Sequence, residues 1–433
     1  MSDLSRPLSI YIIAGEESGD ALGAALARAL REAAGNVTLA GIGGRAMAAT
    51  GIVSPFPIDD LAIVGLTAIP QKLPKILRHI REATQAATAA RPDALVIVDS
   101  PDFTHRVARG VRLRAPGIPI LDYVSPSVWA WRSGRARAMR AYVDRVLAIL
   151  PFEPEAYTRL RGPQCIYVGH PLIERLSELR PTPAETARRQ GGPPIVLALP
   201  GSRSTEIKRH IGIFGRALAA VAARTGEIEV VLPTVPHLAA RVSEAVAGWA
   251  VPPRIVVEPA EKWAAFRSAR AALAASGTVT LELALSGVPT VAAYKLHLLE
   301  AIIARMIRIQ SRLPSVILAN LVLGENAIPE LIQEDCTAEK MTEALVPLLS
   351  DTPARARQIE AFGRLDGIMG IGEATPSAKA AAVVLEVARE AAGRRPGEDS
   401  GRRARRMGQG AAAAATDRKN GKKNDKSDMA LNC

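Results

Sequence analysis

The 433-residue sequence has few cysteines, few aromatic residues and no long apolar run. Its three cysteines, Cys165, Cys336 and Cys433, lie far apart, which excludes a disulfide framework and a cysteine-based metal site and indicates a reducing compartment. Aromatic residues make up only 4% of the chain, so few rings are present to stack on nucleic-acid bases. No segment reaches the roughly 18 consecutive apolar residues of a membrane-spanning helix. The first residues lack the apolar core of a secretory signal, so none is expected.

The charge is basic and unevenly placed. Residues 394–433 hold eleven Lys and Arg against five Asp and Glu, which is half of the net charge of +12. We predict that this low-complexity tail, residues 393–433, is disordered. The basic charge of the remaining chain suits an anionic lipid surface or a phosphorylated substrate; no nucleic-acid motif is present, and no nucleic-acid partner is expected.

Apolar, β-branched runs alternate with helical patterns in both halves of the chain. This alternation predicts an α/β protein with two parallel-sheet domains that face each other across a cleft. The predicted domains are residues 1–178 and 195–350, joined by a Pro- and Gly-rich linker at 179–194. Residues 351–392 are predicted as C-terminal helices that pack back on the first domain.

Two turns of the second half carry candidate phosphate ligands. PGSRSTE (Pro200–Glu206) and ASGTVTLE (Ala275–Glu282) each follow an apolar strand and begin a helix. Helix-start amides, hydroxyls and the guanidinium of Arg203 suit phosphate, and the carboxylate of Glu282 suits a ribose diol. Either turn alone is best interpreted as an ordinary turn, but the two together predict a nucleotide-diphosphate site. The candidate ligands are Gly201, Ser202, Arg203, Ser276, Gly277, Thr278 and Glu282.

Carboxylates follow two predicted strands of the first half. Asp99 comes directly after the apolar run Ala94–Val98, and Glu16 follows the first strand. A carboxylate at the carboxyl end of a parallel strand lies in the crevice, where it can act as a general base. We assign Asp99 to chemistry and Asp102 to the N-cap of the next helix. Glu16 either faces the crevice or, like Asp20, is a helix-terminal charge that the macrodipole favours.

The segment Leu61–Arg81 departs from the alternation. Apolar residues alternate there with Lys, Arg and His, and we expect Pro70 and Pro74 to break any long helix. The composition fits a membrane interface, although by itself it favours a core helix with a solvated basic face. The candidate membrane- or acyl-contacting residues are Leu66, Ile69, Leu73, Ile76 and Leu77.

The loop Ser125–Arg132, SPSVWAWR, contains two of the four Trp residues. Its rings either pack under a sugar or acyl chain or anchor the loop between two elements.

Eight motifs follow one another in an order typical of one family. They are GEESGDALGA (Gly15–Ala24), DSPDF (Asp99–Phe103), YVSPSVWAWR (Tyr123–Arg132), LPFE (Leu150–Glu153), GHP (Gly169–Pro171), LPGSR (Leu199–Arg203), ASGTVTLE (Ala275–Glu282) and ANLV (Ala319–Val322). Together they resemble the lipid-A-disaccharide synthase family over about residues 8–390. YVSPSVWAWR is the most specific of them, whereas PGSR alone is a weak signal.

The resemblance implies an inverting glycosyltransferase of GT-B fold (family 19), with the site between two Rossmann-like domains. It implies transfer of 2,3-diacylglucosamine from UDP to the 6-hydroxyl of 2,3-diacylglucosamine 1-phosphate (lipid X) in lipid A and lipopolysaccharide biosynthesis. The products are the β-1,6-linked disaccharide 1-phosphate and UDP, and no metal or other cofactor is implied. The resemblance further implies a peripheral enzyme on the cytoplasmic face of a Gram-negative inner membrane. It also implies a homodimer in which C-terminal segments can be exchanged.

Matched residue by residue, the family's functional positions are Glu16, Asp99, Arg203 and Asn320. The resemblance makes Asp99 the first candidate for the general base, with Glu16 as the alternative. Arg203 and the helix-start amides would stabilise the departing pyrophosphate. Two residues depart from the family pattern: Glu17 stands where Ala is usual, and Ala319 where Pro is usual. They leave the role of Glu16 and the placement of Asn320 open.

Since both implied substrates carry acyl chains, the resemblance shifts the interpretation of Leu61–Arg81 towards the membrane interface. Another GT-B enzyme acting on a UDP-sugar, such as a UDP-N-acetylglucosamine 2-epimerase, is the alternative. A basic nucleic-acid- or membrane-binding protein without catalytic activity is a third class. The loop SPSVWAWR and the interfacial segment favour the synthase over the epimerase, and UDP affinity of the chain without residues 394–433 would separate the synthase from the third class.

Overall fold

The chain forms two compact units in the computed structural model. One contains the described residues up to Pro171 together with Ala374–Gly393, and the other contains Leu172–Glu373. The structure describes residues 6–61, 69–130, 132–296 and 314–393, without the side chains of residues 69–73. The interfacial residue Leu66, the predicted helix 299–309 and the basic tail therefore lie outside the described residues.

The first unit is built on a parallel six-stranded sheet of order β2-β1-β3-β4-β5-β6. Its strands are β1 (Leu8–Ala14), β2 (Val37–Ile42), β3 (Ala94–Val98), β4 (Ile120–Tyr123), β5 (Arg145–Ala148) and β6 (Gln164–Tyr167). Strand β3 is buried throughout, as expected for a strand that is covered on both faces. The described helices up to Pro171 are α1 (Glu17–Ala34), α2 (Arg45–Ala48), α3 (Ile69–Ala90), α4 (Pro101–Arg114), α5 (Gly134–Met139) and α6 (Glu153–Arg159).

The second unit repeats this plan with the order β12-β11-β10-β7-β8-β9. Its strands are β7 (Ile195–Leu199), β8 (Glu229–Pro233), β9 (Arg254–Val256), β10 (Ala271–Ala274), β11 (Thr290–Tyr294) and β12 (Glu330–Ile332). Its described helices are α7 (Leu176–Leu179), α8 (Pro183–Gln190), α9 (Ser204–Thr225), α10 (Ala239–Val246), α11 (Pro259–Ser268), α12 (Val279–Leu285), α13 (Leu318–Leu323), α14 (Ala338–Leu345), α15 (Pro353–Gly363) and α16 (Leu365–Met369). Parallel pairing throughout both sheets confirms the α/β class.

The last described helix, α17 (Pro376–Gly393), returns to the first unit. It packs against α1, and its apolar residues join one core with Ile10 and Ile12 of β1. Tyr11 and Ile13, which point to the other face of the same strand, lie in a second core with residues of α3 and α4. Helices therefore cover both faces of the first sheet, as the period-two alternation of side chains requires.

Residues 179–194, expected as a linker, contain a helix that belongs to the second unit. Thr182 and Glu185 form a capping box around Pro183, so this proline occupies the first helical turn instead of interrupting a helix. Arg189 then donates hydrogen bonds to backbone carbonyls at the C-terminal ends of α11 and α12. Of the C-terminal helices expected on the first domain, only α17 belongs to that unit, while α15 and α16 belong to the second.

The expectation that prolines break any long helix near residue 70 is wrong. Helix α3 runs for 22 residues from Ile69 and contains Pro74. Pro70 lies in its first turn, where a backbone N–H has no intrahelical acceptor, so the missing donor costs little. Pro74 removes a single further backbone hydrogen bond near the N-terminal end of the helix.

Asp20 is more than the helix-terminal charge that the sequence suggested. Its carboxylate is buried and accepts hydrogen bonds from the N–H groups of Gly44, Ala46 and Met47, at 2.7, 2.8 and 3.0 Å. One residue of α1 thus satisfies the free donors at the start of α2.

We expect Asp20→Ala to lower the free energy of unfolding by about 2–4 kcal/mol, because three N–H groups, one of them on the buried Met47, lose their acceptor. Urea unfolding at fixed pH measures the change. Glu17→Ala is the matched control, since Glu17 is an exposed carboxylate in the same helical turn. Equal shifts in the two variants would contradict this role of Asp20.

Candidate active site

The candidate base lies where the first sheet changes its winding direction. Strands β1 and β3 are neighbours there, with Ala14 opposite Val98. The next residues, Gly15–Glu16 and Asp99, therefore leave the sheet side by side at its carboxyl edge. In open parallel sheets this switch point is where ligands bind.

Asp99 is held by its neighbours in a defined orientation. Ser18 of α1 donates its hydroxyl to Oδ2 at 2.9 Å, and the N–H of Ser100 donates to Oδ1 at 2.7 Å. Gly15 permits this approach, because a Cβ there would come within 2.8 Å of Ser100 Oγ. The carboxylate is half-buried and lies at the tip of its strand.

The backbone at this edge is strained. Asp99 and Ser100 have φ angles of 51° and 45°, and Val124 and Arg132 in the next loop have 76° and 53°. Non-glycine residues rarely adopt this left-handed conformation, and a β-branched valine least of all. Such strain costs about 1–3 kcal/mol per residue and clusters at functional sites.

The other acidic candidates are less constrained. Glu16 is exposed at the N-cap position of α1, and its side chain makes no capping hydrogen bond. The assignment of Asp102 to an N-cap is wrong, since α4 begins at Pro101 with Ser100 as its cap residue. Asp102 lies in the first turn of α4, where the positive end of the helix dipole stabilises its negative charge.

The loop Ser125–Arg132 is anchored from below by a buried acid. Glu153 accepts hydrogen bonds from Trp129 Nε1 at 3.1 Å and from the Leu150 N–H at 3.0 Å. Ser125 donates to the buried hydroxyl of Tyr157 at 2.9 Å. Trp129 thus serves as an anchor between two elements, which is the simpler of the two interpretations; the second tryptophan, Trp131, lies outside the described residues. Burial raises the pKa of Glu153 to about 7.

The switch point of the second sheet lies between β7 and β10. Ala274 pairs with Leu199, and the N–H of Ala275 donates to the Leu199 carbonyl at 2.7 Å. The turns PGSR and ASGT are therefore adjacent at the carboxyl edge, as the sequence predicted. The strand order around them corresponds to that of dinucleotide-binding folds.

A carboxylate that the sequence reading missed organises the PGSR turn. Glu206 accepts hydrogen bonds from the N–H groups of Ser202 and Arg203 at 3.2 and 3.3 Å, and from the Arg203 guanidinium at 2.8 Å. Gly201 has φ +123°, and a Cβ there would come within 2.6 Å of Glu206. The capping-box spacing, a Glu three residues after the cap position, was the available signal. Arg203 keeps 79% of its side chain exposed, where it can reach an anionic ligand.

The ASGT turn has an open outer side. Gly277 and Thr278 are exposed, and among the described residues no atom beyond its chain neighbours lies within 4 Å of a Cβ built on Gly277. Ser276 donates its hydroxyl to the Val316 carbonyl at 3.0 Å. Glu282, the candidate ribose ligand, pairs with Lys262 of α11 at 3.0 Å, a partner that the sequence did not suggest.

Asn320 is engaged within its own unit. Its side chain is buried, donates to the Ile328 carbonyl and to Glu330 at 2.9 and 3.0 Å, and accepts from the Ile328 N–H at 2.9 Å. Glu330 in turn accepts from the Val316 N–H at 3.3 Å, beside the carbonyl that Ser276 contacts. Asn320 is thereby connected to the ASGT turn through Glu330.

The candidate acyl-contacting residues on α3 differ in their exposure to solvent. Ile69 and Leu73 lie on this helix, and their side chains are outside the described residues. Ile76 is buried, whereas Leu77 is 39% exposed. None of the described helices is long and apolar enough to cross a membrane. In the described part of the chain, no three His, Cys, Asp or Glu side chains are grouped to hold a metal ion.

Residues 10–369 match the family described as Lipid-A-disaccharide synthetase. The lipid-A-disaccharide synthase of Rhodopseudomonas palustris (strain HaA2) is 58% identical over 382 residues, which cover 88% of this chain and 96% of that protein. This chain belongs to the lipid-A-disaccharide synthase family. It is accordingly a hexosyltransferase of lipid A biosynthesis, and the resemblance seen in the eight motifs is confirmed. The synthase of Rhodospirillum centenum is 42% identical, with 88% of this chain and 95% of that protein covered.

Solved structures share the fold at low sequence identity. The UDP-GlcNAc 2-epimerase of Neisseria meningitidis, bound to UDP-GlcNAc, has a TM-score of 0.58 at 12% identity and covers 88% of this chain and all of that chain. A glycosyltransferase of kitacinnamycin has a TM-score of 0.58 at 18% identity, covering 88% and 99%. These likenesses confirm the GT-B fold of this family member.

The raised pKa of Glu153 gives a pH-dependent prediction. Folding favours the protonated acid, so the stability of the protein relative to Glu153→Gln should fall as pH rises from about 4.5 to about 7 and then level off. The change over this range should be roughly 3 kcal/mol. Urea unfolding between pH 4.5 and 8.5 measures it, with Glu155→Gln as the exposed control on the same helix. A pH-independent difference would contradict the prediction.

Proposed function

We propose that this synthase transfers 2,3-diacylglucosamine from UDP to the 6-hydroxyl of 2,3-diacylglucosamine 1-phosphate, with inversion at the anomeric carbon. The observation that carries the proposal is the pair of adjacent turns, PGSR and ASGT, at the switch point of the second sheet. Family membership supplies the reaction class, and the turns supply groups suited to a nucleotide diphosphate.

The second unit binds the donor. Arg203 offers an exposed guanidinium, and Ser276, Gly277 and Thr278 offer a turn with an open outer side. Glu282 takes the ribose hydroxyls through its carboxylate. Similar folds bind UDP-sugars, as the epimerase complexed with UDP-GlcNAc illustrates.

The first unit activates the acceptor. Asp99 takes the proton of the acceptor 6-hydroxyl while that oxygen attacks the anomeric carbon and the bond to the UDP oxygen breaks. The hydrogen bonds from Ser18 and Ser100 hold the carboxylate in one orientation for this transfer. Glu16, exposed beside it, is the alternative base.

Negative charge accumulates on the departing diphosphate, and Arg203 with the peptide dipoles of the two turns stabilises it. Asn320 acts at a distance, because its bonds to Glu330 and Ile328 hold the segment that the ASGT turn contacts. Replacing Asn320 would therefore lower the activity indirectly, because Ser276 would be displaced.

The test is incubation with UDP-diacylglucosamine and lipid X, with UDP and disaccharide measured by mass spectrometry. We expect Asp99→Asn to lower kcat by about 10²- to 10⁴-fold and to leave the Kd of UDP unchanged, because only proton transfer is lost. Asp102→Asn, an exposed carboxylate close by, should retain activity. Full activity of Asp99→Asn would eliminate Asp99 as the base, and epimerisation of the donor without acceptor would favour the epimerase alternative.

We also propose that the enzyme works on the cytoplasmic face of the inner membrane and contacts anionic lipid through α3. Exposed Leu77, beside the basic residues Lys75 and Arg78, supports this surface. The homodimer with exchanged C-terminal segments stays a prediction.

We expect Leu77→Asp to reduce binding to anionic phospholipid vesicles by about fivefold, because a partly exposed apolar side chain no longer enters the lipid. Co-sedimentation with vesicles measures the bound fraction. Leu113→Asp is the matched control, since Leu113 is an exposed leucine on α4 of the same unit. If both variants bind like the unaltered protein, α3 is not the membrane surface.

A further inference from the structure

A buried histidine lies directly beneath the PGSR turn. His210, on α9, is fully buried (0% exposed) and lies one helical turn after Glu206. The two side chains therefore share a face of the helix. Glu206 contacts the amides of the turn, and His210 contacts its first carbonyl, that of Pro200.

Both ring nitrogens of His210 have backbone partners, and these partners determine the tautomer. Nδ1 lies 2.9 Å from the Pro200 carbonyl oxygen, which can only accept, so Nδ1 carries the proton. Nε2 lies 2.9 Å from the N–H of Lys295, which can only donate, so Nε2 is the acceptor. The imidazole is neutral in this arrangement.

The surroundings of the ring keep it neutral. Phe214 and Tyr294 lie with ring centroids 5.9 and 5.2 Å away, and burial lowers the pKa of His210. The charged side chains that act on it are Glu206 and Arg209 of its own helix, whereas Lys295, which follows β11, contacts the ring through its backbone N–H. A second proton on Nε2 would oppose the N–H of Lys295.

The bond to Pro200 also fixes the peptide group that begins the turn. In a trans peptide the carbonyl and the following N–H point in opposite directions, so a Pro200 carbonyl aimed at His210 aims the Gly201 N–H away from it. Gly201 is the first candidate diphosphate ligand, and its φ of +123° lies in the region that favours glycine. The bond to Lys295 fixes the chain after β11 to the same ring.

We propose that His210 is a positioning residue for donor binding, which orients the Gly201 amide toward the diphosphate through the Pro200 carbonyl. This inference rests on the proposed donor site in the second unit. His210 does not touch the ligand, and its effect is on the affinity for UDP and on KM for the donor, not on the proton transfer at Asp99.

The experiment compares His210→Leu, which loses both bonds, with His210→Asn, which keeps an N–H donor near the position of Nδ1. Calorimetry gives the Kd of UDP, and the disaccharide assay separates KM from kcat. We expect His210→Leu to raise both Kd and KM by about tenfold, with kcat within about twofold, and His210→Asn to recover most of the affinity. In the full-length protein, ¹⁵N NMR of His210 should show the neutral ring protonated on Nδ1.

Phe214→Leu is the matched control, because Phe214 is a fully buried neighbour on the same helix and its truncation loosens the packing without removing either hydrogen bond. It should bind UDP with the Kd of the unaltered protein. If His210→Leu shows the Kd of the unaltered protein and of Phe214→Leu, if His210→Asn binds UDP as weakly as His210→Leu, or if the ring carries its proton on Nε2, the inference is overturned while the donor site stands. If the unaltered protein itself fails to bind UDP, the proposed donor site is overturned and the inference with it.

Discussion

Parallel pairing between strands that are distant in sequence is the constraint on which both candidate sites depend. Strand β1 pairs with β3, and β7 pairs with β10, so the chain leaves each pair in opposite winding directions. The helices that follow diverge, and the turns between strand and helix stay open at the edge of the sheet. Side chains on neighbouring turns therefore lie near one another, and the strands and helices that the turns connect do not cover them.

Carboxylates hold the backbone of these turns in place. Asp99 accepts from Ser18 and Ser100 in the first unit, and Glu206 accepts from two amides of the PGSR turn in the second. Each acid satisfies donors that a turn would otherwise present to water. A rigid turn loses less conformational freedom when a ligand arrives, which favours affinity.

Much of the fold could be predicted because buried strands have a strong sequence signature. Strand β3 has the bounds Ala94–Val98 that its apolar run indicated, and β7 and β10 lie directly before the two turns, where apolar strands were predicted. Strand β12 escaped prediction because it is three residues long, half-buried and begins with Glu330. The prediction that Pro70 and Pro74 break a long helix was wrong because composition does not show where in a helix a proline lies.

The sequence predicted that the two turns of the donor site are adjacent, but it did not predict the partners of their side chains. Strand order brings PGSR next to ASGT, but the partners of the side chains come from elsewhere in the chain. Lys262, the partner of Glu282, lies 20 residues before it. The partners of Asn320, Ile328 and Glu330, follow it by 8 and 10 residues, on the segment that leads into β12. Such pairs depend on tertiary geometry that no local pattern encodes.

Helix α17 makes the first unit discontinuous in sequence, since the whole second unit intervenes between Pro171 and Ala374. During synthesis on the ribosome, the face of α1 that includes Leu26 and Leu30 emerges long before the helix that shares its core. The amino-terminal sheet is translated first but is the last to have its core completed. Until then, its apolar face stays exposed, and such transiently exposed surface is prone to aggregation.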